Sequence, residues 1–245
     1  MIRRQGVHAT RRQEGVIVGG GNPLTIFQSA PPILWVRADL GVTNVAGACT
    51  LLKDQSRGGH NMAPSIAAGP IIQPGDSTLN GRQSLHFTNL LDLWTGAVLT
   101  LPTPFAYRLI AKPITWNSAA SLVADGANAN RGQISYAGAS PNIYMDNGAF
   151  VNNTAVTLNT WMRFRANFTN SANDLLKCGS AVQVKGGLAG AGAPTNIAFN
   201  MNGGLGSAGV FDICELVVLP GIPSAAEDSA FDAYAKALTG GAVAF

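Results

Sequence analysis

The amino-acid sequence predicts an all-β body closed by a single helix, and three observations carry that prediction. Short β-rich runs recur along the chain, with Gly, Pro, Asn or Asp between most of them. One of these runs, Trp161–Phe168, alternates cleanly with the side-chain period of a strand. Only one stretch, near the C-terminus, combines helical spacing with a capping signal. Composition agrees. Of 245 residues, 47% are hydrophobic and 12% charged, with 29 Gly and 13 Pro, whereas charged residues usually make up about 25%. Disorder needs the opposite balance, a coiled coil needs charged heptads, and no apolar run approaches the roughly 18 residues of a membrane span.

Taken in order, residues 1–23 read as a basic docking arm. Arg3, Arg4, Arg11 and Arg12 against Glu14 account for the whole net charge of +3, so the remainder is neutral. Gly19-Gly20-Gly21-Asn22-Pro23 forms the joint. No apolar core of about 7–15 residues follows the arginines, as an export signal requires. A nucleic-acid-binding face would spread Lys and Arg over the folded body, and this body does not. The arm is therefore expected to lie on a protein partner, its guanidinium forks meeting carboxylates or carbonyls there.

Residues 24–245 form one body. The expected strands are Leu24–Gln28, Ile33–Ala38, Ser84–Thr88, Phe105–Ala111, Gln133–Tyr136, Ile143–Met145, Ala149–Val151, Trp161–Phe168, Ala181–Lys185, Ile197–Asn200 and Val210–Leu219. Asp146-Asn147-Gly148 is a hairpin signal, since Asn-Gly tolerates the positive φ of a tight turn. In Trp161–Phe168, Met162, Phe164, Ala166 and Phe168 share one face and Trp161, Arg163 and Arg165 the other. That pattern suits a half-buried antiparallel strand. Val210–Leu219 is expected to be central, with Ile213, Val217 and Leu219 on one face and Cys214, Leu216 and Val218 on the other. Ser224-Ala225-Ala226-Glu227 is a capping box; Phe231, Tyr234 and Leu238 then make an apolar stripe, and Gly240 is placed to end the helix. Cys49, Cys178 and Cys214 are odd in number and far apart. They suit neither a disulfide framework nor a zinc site, but rather buried small apolar residues of a chain made in a reducing cytoplasm.

The order Ile33-Leu34-Trp35-Val36-Arg37-Ala38-Asp39, Lys53-Asp54-Gln55-Ser56-Arg57-Gly58-Gly59-His60-Asn61, Asn80-Gly81-Arg82-Gln83-Ser84-Leu85-His86-Phe87, Leu91-Asp92-Leu93 and Phe211-Asp212-Ile213-Cys214-Glu215-Leu216-Val217-Val218, followed by the capped helix, resembles the laminin-G-like, concanavalin A-like lectin/glucanase modules of bacterial and phage proteins. The likeness spans about residues 31–240. It implies a two-sheet antiparallel jelly-roll sandwich, a fold that carries lectins, glycosidases and purely structural modules.

The glycosidase version needs two carboxylates about 5 Å apart on one strand face. The chain has three glutamates, Glu14, Glu215 and Glu227, and no Glu-x-Asp-x-Glu motif. The nearest pair, Asp212 and Glu215, has an odd spacing that without a bulge points to opposite faces. There is no Gly-x-Ser-x-Gly elbow, and His8, His60 and His86 show no metal-ligand spacing, so no catalytic residue and no metal ligand is assigned. Gly204-x-Gly206-x-x-Gly209 leads into a strand rather than a helix, which removes the dinucleotide reading. Asp125-Gly126-Ala127-Asn128-Ala129-Asn130 carries oxygen side chains that suit calcium but lacks the bidentate glutamate of an EF-hand; an ordinary solvated loop is the plainer reading. Candidate glycan contacts are Trp94, Trp116, Tyr136 and Tyr144, since a sugar ring wants an aromatic plane and its hydroxyls want amides and carboxylates. The expected function is a non-enzymatic bacteriophage virion protein, a tail-fibre, appendage or decoration subunit in many copies or a homo-oligomer. It docks through its arm on other virion proteins and presents the jelly roll to neighbouring subunits or a host-surface glycan. The alternatives are a stand-alone carbohydrate-binding module and, behind it, a glycoside hydrolase.

Overall fold

The computed structural model describes residues 21–65, 68–88, 91–96, 99–115, 121–126, 132–136, 143–146, 150–153, 156–169, 174–185, 194–200 and 209–241. In chain order the elements are α1 (Pro23–Ile26), β1 (Leu34–Arg37), β2 (Val42–Val45), β3 (Ala48–Leu52), β4 (Ile71–Asp76), β5 (Arg82–Phe87), β6 (Leu93–Trp94), β7 (Phe105–Thr115), β8 (Ser121–Val123), β9 (Gln133–Tyr136), β10 (Ile143–Asp146), β11 (Phe150–Asn153), β12 (Met162–Phe168), β13 (Asp174–Cys178), β14 (Ala181–Lys185), β15 (Ala198–Phe199), β16 (Val210–Leu219) and α2 (Ala225–Leu238). The all-β sandwich expected from the sequence is present. A ten-stranded sheet runs β14-β13-β12-β7-β16-β5-β4-β3-β2, with β1 also paired to β16. The four-stranded β11-β10-β9-β8 and the two-stranded β15-β6 are separate sheets. Every strand pairing is antiparallel.

Two apolar clusters show how the layers stack. The larger joins Phe87, Leu109, Phe164, Phe168 and Phe211 of the large sheet to Leu122, Ile134, Tyr136, Ile143 and Met145 of the four-stranded sheet and Phe199 of the two-stranded one. The smaller joins Trp35, Ile110, Trp161, Val217 and Leu219 on the opposite face of the large sheet to Phe231, Tyr234, Ala235 and Leu238 of α2. The large sheet is thus buried on both faces, with sheet on one side and helix on the other. The helix forms where the sequence places it: the Ser224 hydroxyl accepts from the Glu227 N–H at 3.3 Å, and Glu227 returns to the Ser224 N–H at 2.8 Å. Gly240 and Gly241 follow its end at positive φ.

Three expectations are corrected. Leu24–Gln28 is not a strand. The Asn22 side chain caps the N–H groups of Leu24 and Thr25 at 3.0 and 3.3 Å, and with Pro23 in the first position it starts the short helix α1. The Trp161–Arg163–Arg165 face of β12 is not solvated: Arg163 is 1% exposed, because α2 lies over it. The face assignment in β16 fails at a β-bulge. Ile213 pairs with Ala111, but Glu215, not Cys214, pairs with Ile110. Beyond that extra residue the alternation flips, so Ile213 shares the sandwich interior with Leu216 and Val218, while Cys214, Val217 and Leu219 meet the helix layer. The strand is central and buried as expected, running between β7 on one side and β5 then β1 on the other.

Candidate functional site

The bulge changes the carboxylate question. It brings Asp212 and Glu215 to the same, helix-side face of β16, where their odd spacing had suggested opposite faces. Each is nevertheless committed to its own partners. The Asp212 carboxylate lies 2.5 Å from His86 Nδ1 and 2.7 Å from Lys112 Nζ. Lys112 also reaches Asp76 at 3.5 Å and sits 5.0 Å above the Trp161 ring. Burial lowers the lysine's pKa, but the bonds and charges of Asp212 and Asp76 outweigh it, and the net shift is upward. Glu215 is fully enclosed. Its Oε1 accepts from Trp35 Nε1 at 2.6 Å and from the Tyr234 hydroxyl at 2.9 Å, while Arg37 links Tyr234 to Asp39. Burial pushes the Glu215 carboxyl up to about 7 against the pull of Arg37, Tyr234 and Trp35. Glu215 is thus enclosed between sheet and helix, while Asp212 is tied to His86 and Lys112 of the neighbouring strands. Among the described residues no group of His, Cys, Asp and Glu is arranged to hold a metal ion.

A different chemistry lies on the four-stranded sheet. Gln133-Ile134-Ser135-Tyr136 alternates polar and apolar. Ile134 and Tyr136 turn into the sandwich with Ile143 and Met145. Gln133 and Ser135 therefore take the other face, with Ser121 of β8 paired to Ser135 and Tyr144 of β10 directly opposite it. The hydroxyls of Ser121 and Ser135 are 2.7 Å apart, and Ser135 donates to Gln133 Oε1 at 3.0 Å. All three are 1% exposed or less, whereas Tyr144 is half-buried. The three form a buried, uncharged and mutually bonded cluster, and Tyr144 on the neighbouring strand is the aromatic side chain of this face that solvent reaches. An exposed aromatic plane is one of the partners a saccharide ring needs.

Of Trp94, Tyr136 and Tyr144, the singled-out aromatics among the described residues, Tyr144 alone lies on this face. Tyr136 is corrected: it neighbours Ser135 but points the opposite way, fully buried in the interior cluster. Trp94 is half-buried on the two-stranded sheet, paired with Ala198 and bonded through its backbone to Ala63. Trp116 lies outside the described residues, as do Arg3, Arg4, Arg11 and Arg12, the turn at Asn147 and Gly148, and Gly204 and Gly206. In the stretch considered for calcium, Asp125 is fully buried and accepts from the Thr195 N–H at 3.0 Å, while the Gly126 N–H donates to Asn196 Oδ1 at 2.7 Å. These two residues staple the segment before β15 to the end of β8; residues 127–130 are outside the description. Sequence reasoning missed Ser121, Gln133 and Ser135. Alternation in Gln133–Tyr136 was the available signal for two of them, but only the strand register brings Ser121 across.

No protein-family model matches the chain, and no curated protein matches it. Solved structures do. A family 54 α-L-arabinofuranosidase superposes with a TM-score of 0.61 at 11% identity, over 91% of this chain and 66% of that one. The receptor-binding domain of botulinum neurotoxin type G gives 0.55 at 10%, over 82% and 51%. Botulinum neurotoxin type C, whose cell entry depends on interaction with two ganglioside molecules, gives 0.54 at 10%, over 86% and 51%. The chain spans about half to two thirds of these proteins' lengths. At such identities the likeness establishes the fold alone, an all-β sandwich.

Proposed function

We propose that this chain is a non-enzymatic glycan-binding module that presents its β sandwich on the surface of a bacteriophage particle, anchored there by its N-terminal arm. The observation that carries the binding half is the solvent-reached Tyr144, on the strand beside the buried Ser121–Gln133–Ser135 cluster that fixes the register of this sheet. The fold likeness supports it, since the similar proteins include one that acts on an arabinofuranosyl bond by name and one that interacts with gangliosides. The non-enzymatic half is supported by the fate of Asp212 and Glu215, tied respectively to His86 and Lys112 and to Trp35 and Tyr234. The virion half rests on the sequence resemblance and on the Arg-bearing arm. Multiplicity on a particle turns millimolar contacts into firm attachment.

The test uses the full chain on a glycan array, with Tyr144→Ala alongside and a reducing-end assay on any glycan bound. Binding without turnover, weakened at least tenfold in Y144A, is the expected result. Steady release of reducing ends that disappears in Asp212→Asn or Glu215→Gln overturns the reading in favour of a glycoside hydrolase. Binding unchanged in Y144A moves the site elsewhere on the body.

A further inference from the structure

The helix-side face of the large sheet carries a row of like charges. Arg108 of β7 stands directly opposite Arg165 of β12, and Arg165 stands directly opposite Lys177 of β13. Arg163 lies two residues along the same strand face. Directly opposed like charges destabilise a sheet, and among the described residues two carboxylates pair with the arginines of this row, Asp228 and Asp232 of α2. Asp228 pairs with Arg108 at 2.7 Å and Arg165 at 3.3 Å, and Asp232 pairs with Arg163 and Arg165. The helix therefore satisfies the arginines and stops short of Lys177, which makes no ion pair among the described residues. Lys177 is half-buried; burial and the charges of Arg165 and Arg163 depress its pKa. Beside it, Val182 on β14 pairs with Lys177 in register and is 47% exposed, one of four large apolar side chains so exposed among the described residues. β14 is the last strand in the hydrogen-bonding order of the sheet.

We infer that an extended acidic segment of a partner protein lies along β13 and β14 beside α2, setting its carboxylates over Lys177 and Arg165 and its apolar side chains against Val182. Charge complementarity names the occupant. The patch is cationic in excess, so the chain's own arm, with Arg3, Arg4, Arg11 and Arg12 against one glutamate, is repelled from it. The patch is also compact and flanked by valine rather than by the aromatics and long basic stripe that nucleic acid needs. An extended segment lying across this face turns its alternate side chains toward it. This surface is on the opposite side of the large sheet from the four-stranded sheet that carries Tyr144, so the two proposals stand or fall separately.

The test is titration of the full chain at low ionic strength with a Glu-Val octapeptide, Glu-Ser-Val-Ser-Glu-Ser-Val-Ser, whose glutamates and valines all fall on one face of a strand. A Lys-Val octapeptide, a thymidine oligonucleotide and a heparin oligosaccharide serve as comparators. The Glu-Val peptide binds, salt releases it, and Lys177→Glu weakens it at least tenfold while melting at or above the wild-type temperature, because the reversal removes a like-charge contact. Val182→Glu, on an exposed side chain, gives the same loss should K177E fail to fold. Absence of peptide binding, equal binding to K177E and V182E, or tighter binding of the oligonucleotide or heparin with the same sensitivity to K177E overturns the inference.

Discussion

Glu215 is an ionisable side chain with no route to water, facing Arg37 and Asp39 from the β1 side, Trp35 on β1 and Tyr234 on α2. Its carboxyl is raised from 4.5 to about 7, with burial as the largest cause. A folded-state pKa above the unfolded one favours the folded state fully below pH 4.5, and that advantage is lost as pH rises to about 7. Glu215→Gln keeps an acceptor for Trp35 and Tyr234 without the charge. It is expected to flatten this decline, raising stability at pH 8 by on the order of 2 kcal/mol relative to wild type while changing little at pH 4.5. Urea unfolding of both proteins at the two pH values checks it; a larger loss in the variant at pH 8 than at pH 4.5 contradicts it. Glu227 titrates in the opposite sense. Burial pushes its carboxyl up, but bonds from Ser29 and Ser224 outweigh that and hold it down to about 2. Its contribution is present above pH 4.5 and fades as pH falls through 2. Because the same carboxylate caps α2 and reaches Ser29 N at 2.7 Å, Glu227→Ala is expected to cost about 1–2 kcal/mol at neutral pH.

At the level of elements, α2 is held to the sheet by charge as much as by its apolar stripe. Arg108 is fully buried and donates a two-pronged bond to Asp228, at 2.7 and 3.1 Å. Burial lowers the arginine's pKa, and Asp228 opposes that shift. Removing the carboxylate leaves a buried charge uncompensated, so Asp228→Ala is expected to cost roughly 3–5 kcal/mol, and Asp228→Asn less, since it retains a hydrogen-bonding oxygen. Equilibrium denaturation of the two variants gives the comparison; equal costs below about 1 kcal/mol make the pair merely superficial. The sequence announced α2 through its capping box and stripe, and it announced β12 through clean alternation. It concealed β4, whose Ile71-Ile72-Gln73-Pro74-Gly75-Asp76 reads as a turn, and β13, where Leu175-Leu176 breaks the alternation. The three-residue β8 is too short to leave a pattern. The bulge at Cys214 was equally invisible, because every residue from Phe211 to Leu219 is buried on one face or the other. A doubly covered strand offers no polar phase from which its register can be read. The candidate site was half legible for the same reason: Tyr144 and the alternation of Gln133–Tyr136 could be seen, but the pairing that adds Ser121 could not.

For the molecule as a whole, a helix layer closes one face of the large sheet and the smaller sheets close the other. Among the described residues both apolar clusters run between Phe27 and Leu238, and the Asn22 cap of α1 falls in the last two residues of the segment read as the arm. The body is expected to fold without residues 1–20. A chain starting at Gly21 is expected to unfold at the same urea concentration as the full protein, within about 0.5 kcal/mol, and to bind the same glycans through Tyr144. On the proposed virion role, what it should lose is incorporation into the particle, because the arm carries the whole net charge and the body is neutral. Without the four arginines, neither long-range steering nor forked contacts to carboxylates remain in that segment. Complementation of a phage lacking the full-length chain with the truncated one, followed by counting of its copies in purified particles, measures this directly. Normal copy number would remove the arm as anchor and shift that role to the Lys177 surface, whereas loss of copies with an unchanged unfolding curve would separate attachment from folding.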